Sequence, residues 1–350
     1  MFGTYHSDDV IVLLKDITGL ITPLGTQERE KLIQSGIHYS EMLALEYEPT
    51  PKYMEIYKLA LNRYSNITAQ AVERVAQQIW NDKGESTALV SLARAGTPIG
   101  ILIKRYIEQK YNVKISHYTI SIIRGKGIDK NALNYILSRH SADAIQFVDG
   151  WTGKGAIKSV LNEALKDYPQ IKSDLAVLSD PAYAAEKCGT HDDFLIASSC
   201  LNSTVSGLLS RTFLRTDIIG KDDFHGAVFY ENLKDKDVTY EFIDEVVSHF
   251  TFQIDYKSEP ISLDMRGLNE AETIRKAFGI NSINYVKPSI GETTRVLLRR
   301  VPWKILVYSL DDNENLGHIY QLAKEKNVEV NKYPLKNYKA CGLIKEMADI

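Results

Sequence analysis

Between residues 86 and 160 the chain repeats one pattern three times: a short apolar run, a glycine-bearing loop, then a helix-forming stretch. Residues 87–93 run into Arg94-Ala95-Gly96-Thr97-Pro98 and a helical stretch through Tyr111. Residues 115–123 run into Arg124-Gly125-Lys126-Gly127, with a helix from Asp129. Residues 144–148 run into Asp149-Gly150-Trp151-Thr152-Gly153-Lys154-Gly155 and again a helix, and residues 174–178 supply a fourth strand. Strands separated by helices cannot close as hairpins, so the alternation predicts an α/β fold whose parallel sheet has helices on both faces. Ligands of such sheets sit beyond the carboxyl ends of the strands, where all these loops fall.

A chain of 350 residues exceeds one small core. The first 85 residues read as a helical region packed on the sheet domain. There Thr50-Pro51 is a helix start, Met54, Tyr57 and Leu61 share a face, and residues 69–80 repeat that spacing before Asn81-Asp82-Lys83-Gly84. The sheet domain spans residues 86–256, and Lys257-Ser258-Glu259-Pro260 marks a linker. Residues 264–350 read as a smaller α/β unit, with helices at 269–278, from Glu292 and at 314–326, and strands at 304–308 and 328–331.

Hydrophobic residues at 44% and charged residues at 25% exclude a disordered or fibrous chain. The apolar runs are too short to span a bilayer, and no membrane partner is expected. Three cysteines without CxxC spacing oppose a disulfide framework and a zinc ribbon, so no metal-ligand set is assigned and a cytoplasmic location is expected. Net charge is −3, but residues 264–350 carry 14 Lys and Arg against 11 Asp and Glu, a lean toward anionic partners.

The run Phe147-Val148-Asp149-Gly150-Trp151-Thr152-Gly153-Lys154-Gly155-Ala156 is the most informative stretch. A buried strand delivers a carboxylate, and a Thr-Gly-x-Gly turn then presents backbone N–H groups at a helix N-terminus, which together hold a phosphate ester. The same glycines also suit a plain strand-to-helix turn. The stretch resembles the PRPP-binding loop of type I phosphoribosyltransferases, and Ser91-Leu92-Ala93-Arg94-Ala95-Gly96-Thr97-Pro98 resembles their pyrophosphate loop. The resemblance implies that Thr152, Gly153, Lys154 and Gly155 cradle a 5′-phosphate, with Gly150 in the same turn and Asp149 on the ribose. Arg94, Ala95, Gly96 and Thr97 would hold pyrophosphate with Mg2+. This chain departs from that family in having one carboxylate, Asp149, where two adjacent ones are usual, and a shorter loop.

A second constellation centres on Cys200, within Ser198-Ser199-Cys200-Leu201-Asn202-Ser203-Thr204 and close to a probable helix start, where a helix dipole activates a thiol. His191 or His225 is a candidate base, with Asp192 or Asp193 to orient the ring. A buried, unreactive cysteine among capping hydroxyls fits the same residues.

Several segments together resemble the bacterial StiP family associated with tellurite-resistance and stress-response gene clusters. They are Asp9-Val10 with Leu13-Leu14-Lys15-Asp16, Gln34-Ser35-Gly36-Ile37-His38-Tyr39-Ser40-Glu41-Met42, His117-Tyr118 with Ile120-Ser121-Ile122-Ile123-Arg124-Gly125, the Asp149 loop and Cys200-Leu201-Asn202-Ser203-Thr204-Val205-Ser206-Gly207-Leu208. That family is described both as phosphoribosyltransferase-like and as a cysteine protease, and the resemblance covers nearly the whole chain. Gly291-Glu292-Thr293-Thr294-Arg295, followed by Arg299-Arg300, is similar to the helix start of pelota-like RNA-binding domains. That likeness implies Glu292 at base edges and Thr294 and Arg295 on the RNA backbone. The i, i+4, i+5 spacing of Arg295, Arg299 and Arg300 puts a basic cluster suited to phosphate contacts on or near one helix face. A solvated helix face is the alternative.

The leading expectation is a phosphoribosyltransferase-like enzyme that uses PRPP or a ribose-5-phosphate nucleotide, with Asp149 and Arg94 catalytic and structured RNA as a possible partner. A Cys200 peptidase and a non-catalytic, nucleotide-sensing RNA-binding protein are the alternatives.

Overall fold

The structure, a computed structural model, describes residues 2–256 and 263–344, so the expected linker core and the last six residues lie outside the described residues. Its elements run β1 (Ile11–Val12), β2 (Lys15–Asp16), α1 (Thr26–Gln34), α2 (Pro51–Lys83), β3 (Ala88–Ala93), α3 (Gly96–Tyr111), β4 (Ser116–Ile123), β5 (Gly127–Ile128) and α4 (Lys130–Leu137). Then come β6 (Ile145–Val148), α5 (Ala156–Ala164), β7 (Leu175–Ser179), β8 (Lys187–Thr190), β9 (Gly226–Ala227), α6 (Thr239–Val247) and α7 (Arg266–Ala277). The chain finishes with β10 (Val286–Pro288), α8 (Ile290–Arg299), β11 (Pro302–Val307), α9 (Asn313–Glu325), β12 (Glu329–Lys332) and β13 (Ala340–Ile344).

The main sheet is parallel in the order β1-β4-β3-β6-β7-β8, with β5 antiparallel on β4. Strands β3, β6 and β7 are apolar almost throughout because helices cover both faces. The strand order reverses between β3 and β6, and at such a switch point adjacent loops splay apart and leave a crevice. The loops bearing Arg94 and Asp149 are the two that flank it.

The two helical segments expected before residue 85 form one helix, α2, of 33 residues and about 50 Å. Tyr57, Ala60, Leu61, Val72, Val75, Ala76 and Ile79 keep one face of it buried against α3, α6, β7 and β8. The smaller unit is a four-stranded sheet in the order β10-β13-β11-β12. Sequence periodicity found β11 and β12 but missed β10 and β13, and the run Cys341-Gly342-Leu343 lies in β13 between two partners. One face of this sheet has its own core of Ala271, Ile274, Val286, Leu306 and Leu343. Residues of its other face, Ile305 and Val307, join Ile290, Leu297 and the α2 side chains in one continuous apolar cluster. The smaller unit therefore packs onto the sheet domain. No helix among the described residues is long and apolar enough to cross a membrane.

Candidate anion-binding cleft

The β3 loop is shaped by contact with β6. A Cβ on Gly96 would sit 2.5 Å from the Val148 carbonyl oxygen, so only glycine lets α3 start this close to the neighbouring strand end. Arg94 and Ala95 line the crevice, and Arg94 donates to the Leu209 carbonyl at 3.0 Å. Thr97 differs from expectation: it is buried, and its hydroxyl pairs with that of Thr119 at 2.7 Å, so it is turned away from any ligand.

The β6 loop carries Asp149, which accepts the Gly150 N–H at 2.8 Å. Burial at the cleft floor pushes its carboxyl up to about 6, against the pull of the Gly150 N–H and Arg295. Thr152 is buried, and its hydroxyl donates to Asp180, so it braces the loop from behind. Gly155 sits at φ +78°, where a Cβ would also meet Met265 Cε at 2.5 Å. Among the described residues, no acceptor faces the backbone N–H groups of Gly153, Lys154 or Gly155, which open onto the start of α5. The Lys154 ammonium is committed elsewhere: it donates to the carbonyls of Ile283 and Val286, at 2.9 Å for the latter. Burial there, reinforced by Lys287 and Arg124, lowers it to about 8.

The third wall is α8, from the smaller unit. Asp193 at the sheet end accepts the Ile290 N–H at 2.9 Å and the Lys339 N–H at 2.9 Å, fixing the helix start over the cleft. Tyr338 donates to the Gly153 carbonyl at 2.6 Å. Expected RNA-contact residues thus face the phosphate loop. Glu292 lies against Gly153, Arg295 bonds Glu292 at 3.3 Å and lies over the Trp151 ring, and Arg300 is exposed at the cleft edge. Arg299 reaches across to the Cys200 carbonyl at 2.7 Å and Asn202 Oδ1 at 2.6 Å. The role expected of Thr294 is corrected: it is fully buried, bonded to the Ile290 carbonyl and His318, and cannot touch an RNA backbone.

The resulting cavity is about 640 Å³. Among the described residues its walls carry ten Lys and Arg, including Arg94, Arg124, Arg211, Lys287 and Arg295, against the three carboxylates Glu46, Asp149 and Glu292. Two of these cations keep unpaired N–H groups. Arg211 Nε and Nη2, and Arg299 Nε, are buried without a hydrogen-bond partner. Burial and neighbouring guanidinium groups lower both Arg211 and Arg299 to about 10. Burial alone would raise Glu292, but Arg295, Lys287, Lys154 and Arg299 overcome it and hold the carboxyl below its usual range. Arg211 and Lys287 carry no local sequence signal, since their roles come from chain segments that meet only in the fold.

The cysteine constellation does not assemble as expected. Cys200 ends a short 3-10 turn (Ala197–Cys200), is 0% exposed, and burial pushes its thiol up to about 12. His225 Nδ1 instead lies 2.8 Å from Ser121 Oγ, and His191 Nε2 lies 3.7 Å from Cys188 Sγ, so neither histidine serves Cys200. Asp192 and Asp193 likewise do not orient His191, whose Nδ1 meets the Asp180 carbonyl. Asp180, Cys188 and His191 also offer ligand atoms within 4.8 Å of one another, the one group of that kind among the described residues.

A family profile described as "Tellurite-like stress resistance cysteine protease StiP" matches residues 3–247, and a PELOTA RNA binding domain profile matches residues 265–346. The cysteine protease StiP of Acinetobacter baylyi is 36% identical over 366 aligned residues, covering 99% of this chain and 94% of that protein. Among solved structures, a hypoxanthine-guanine phosphoribosyltransferase of Bacillus anthracis is 16% identical with a TM-score of 0.28, covering 36% of this chain and 77% of that one. A Helicobacter pylori xanthine-guanine-hypoxanthine phosphoribosyltransferase is 19% identical with a TM-score of 0.24, covering 33% and 74%. Likenesses that slight carry no argument about chemistry. The profile over residues 3–247 and the relative that covers 99% of the chain show the family instead: this protein belongs to the StiP family.

Proposed function

We propose that the cleft binds a phosphorylated ribose compound, PRPP or a ribose-5-phosphate nucleotide. The observation that carries this reading is a cleft whose described walls hold ten Lys and Arg, two of which (Arg211 and Arg299) keep buried, unpaired N–H groups, beside the unbonded amides at the start of α5. Buried donors without acceptors are costly, about 1–3 kcal/mol each and more when charged, and an anionic ligand supplies the missing acceptors. In this reading the amides of Gly153, Lys154 and Gly155 take the 5′-phosphate, and Asp149 accepts the ribose hydroxyls. Arg94 with Arg211 takes a second, pyrophosphate-like group. Stabilising that group as it leaves is the main catalytic demand of transfer at the anomeric carbon, and fixed cations in a dry cleft meet it. The lining suits Mg2+ poorly, since hard cations need several oxygen ligands and the charged groups of the described walls are mostly cationic. The ion would arrive with the pyrophosphate, and no residue is assigned to it.

The PELOTA match supports RNA as a partner, and α8 directs its Arg side chains at this cleft and its edge. Titration calorimetry with PRPP and with ribose 5-phosphate tests the reading. Asp149→Asn and Gly153→Val are expected to abolish binding, and undiminished affinity in both would remove it.

The relative's name favours a second reading, a cysteine peptidase. Cys200 is a poor nucleophile for it, being buried, without a base, and with its carbonyl locked by Arg299.

A further inference from the structure

Strand β8 and the residue that follows it carry a thiol–imidazole pair away from the cleft. Cys188 is half-buried, and its Sγ lies 3.7 Å from His191 Nε2. His191 Nδ1 lies 2.7 Å from the Asp180 carbonyl oxygen. A carbonyl can only accept, so Nδ1 carries the proton and Nε2 presents its lone pair to the thiol. The ring is also clamped. It stacks on Tyr183 with centroids 3.8 Å apart and planes 5° from parallel, and the Arg266 guanidinium covers the other side of Tyr183 at 3.8 Å.

The turn that holds the clamp is fixed from beneath. Asp180 is 0% exposed, and its carboxylate accepts the N–H groups of Ala184 at 3.0 Å and Ala185 at 3.1 Å together with the Thr152 hydroxyl. Tyr183 itself sits at φ 54°, a left-handed conformation that bulky residues rarely adopt. The imidazole keeps 31% of its side chain exposed, so the pair is oriented and still reachable.

We infer that Cys188 and His191 are the nucleophile and base of a peptide-cleaving site, an inference that rests on the peptidase reading. Sγ gives its proton to His191 Nε2, and the thiolate attacks a peptide carbonyl carbon, forming a C–S bond. The tetrahedral adduct collapses with cleavage of the C–N bond, and the imidazolium passes its proton to the departing amine. Water then gives a proton to Nε2 and its oxygen to the acyl carbon. The C–S bond breaks, and the thiolate recovers the proton. Asp180 and Tyr183 are positioning residues.

Alkylation by iodoacetamide, read by mass spectrometry at each cysteine, tests the pair without reference to peptide cleavage. Cys188 is expected to react faster than Cys200 and Cys341. His191→Ala and the milder His191→Gln should slow Cys188 about tenfold at pH 7. That difference should close above about pH 9, where a free thiol ionises unaided. An unchanged rate at pH 7 in folded His191→Gln overturns the inference. So does protection of Cys188 by stoichiometric Zn2+, which would make Asp180, Cys188 and His191 a metal site. Cleavage of labelled casein is the second arm: Cys188→Ala should abolish it and Cys200→Ala retain it. Loss with Cys200→Ala alone overturns the assignment of Cys188. If the alkylation arm succeeds while the wild-type chain cleaves nothing, the peptidase reading fails and the pair survives as a reactive thiol.

Discussion

Asp149→Asn separates ligand binding from stability, because the carboxylate that would hold a ribose is held at a cost by burial at the cleft floor. Its carboxyl is pushed from the ordinary value near 4 up to about 6 by burial, with Glu292 adding to the effect. Between these values the folded chain holds a proton that the unfolded chain has released. Stability from this group is therefore fully present below about pH 4 and is lost as pH rises through 6. A shift of about two units corresponds to about 3 kcal/mol at pH 7 and above. Asparagine keeps the acceptor for the Gly150 N–H, which lies 2.8 Å from Asp149 Oδ1, and removes only the charge. Urea unfolding at pH 8 should show the variant more stable than wild type by about 2–3 kcal/mol, with the two curves coinciding near pH 4. Asp193, also raised to about 6 by burial, leaves both proteins with a residual pH dependence of the same sign. Equal stability at pH 8, or a less stable variant there, would show that the carboxylate is well solvated or paired. The picture of a carboxylate desolvated at the cleft floor would then be wrong.

Two further outcomes follow from the same geometry. Gly96→Ala should lower stability by more than about 2 kcal/mol, since its Cβ would meet the Val148 carbonyl oxygen at 2.5 Å and neither strand end can retreat cheaply; thermal unfolding reads it, and a wild-type melting temperature would refute the close approach. If the full chain binds structured RNA, joint replacement of Arg295 and Arg300 by Ala should flatten the dependence of log affinity on log salt by about 0.7 to 0.9 for each phosphate no longer neutralised. Filter retention across a salt series measures it, and an unchanged slope removes both side chains from the RNA surface.

Much of the fold was legible because it is written locally. Alternation of apolar runs with glycine loops and helices requires crossovers, so β3, β4, β6 and β7 and the side on which their loops gather follow from short windows of sequence. The helix of α2 follows from i, i+3 and i+4 spacing, although its unbroken length does not, because nothing local says that two amphipathic stretches share one axis. Strands β10 and β13 were hidden because Val286-Lys287-Pro288 ends in proline and Ala340-Cys341-Gly342 is small residues with a glycine, compositions that do not read as strand.

The site divides along the same line. The phosphate loop around Asp149 and Gly153 is a local motif, since a strand, a carboxylate and unpaired helix-start amides are contiguous in the chain. The chemistry of its surroundings is not contiguous. Asp193 and Tyr338 seat α8 over the loop, Arg211 arrives from a loop of the sheet domain, and Lys287 arrives from β10 of the smaller unit. Two sites that the sequence kept more than a hundred residues apart thus become one cleft. Cysteine chemistry shows the limit most sharply. Sequence proximity favoured Cys200, among hydroxyls and near an expected helix start, yet reactivity depends on solvent and on which nitrogen faces the sulfur. Only the tertiary structure sets those: it buries Cys200 completely and turns His191, its proton fixed by the Asp180 carbonyl, toward Cys188.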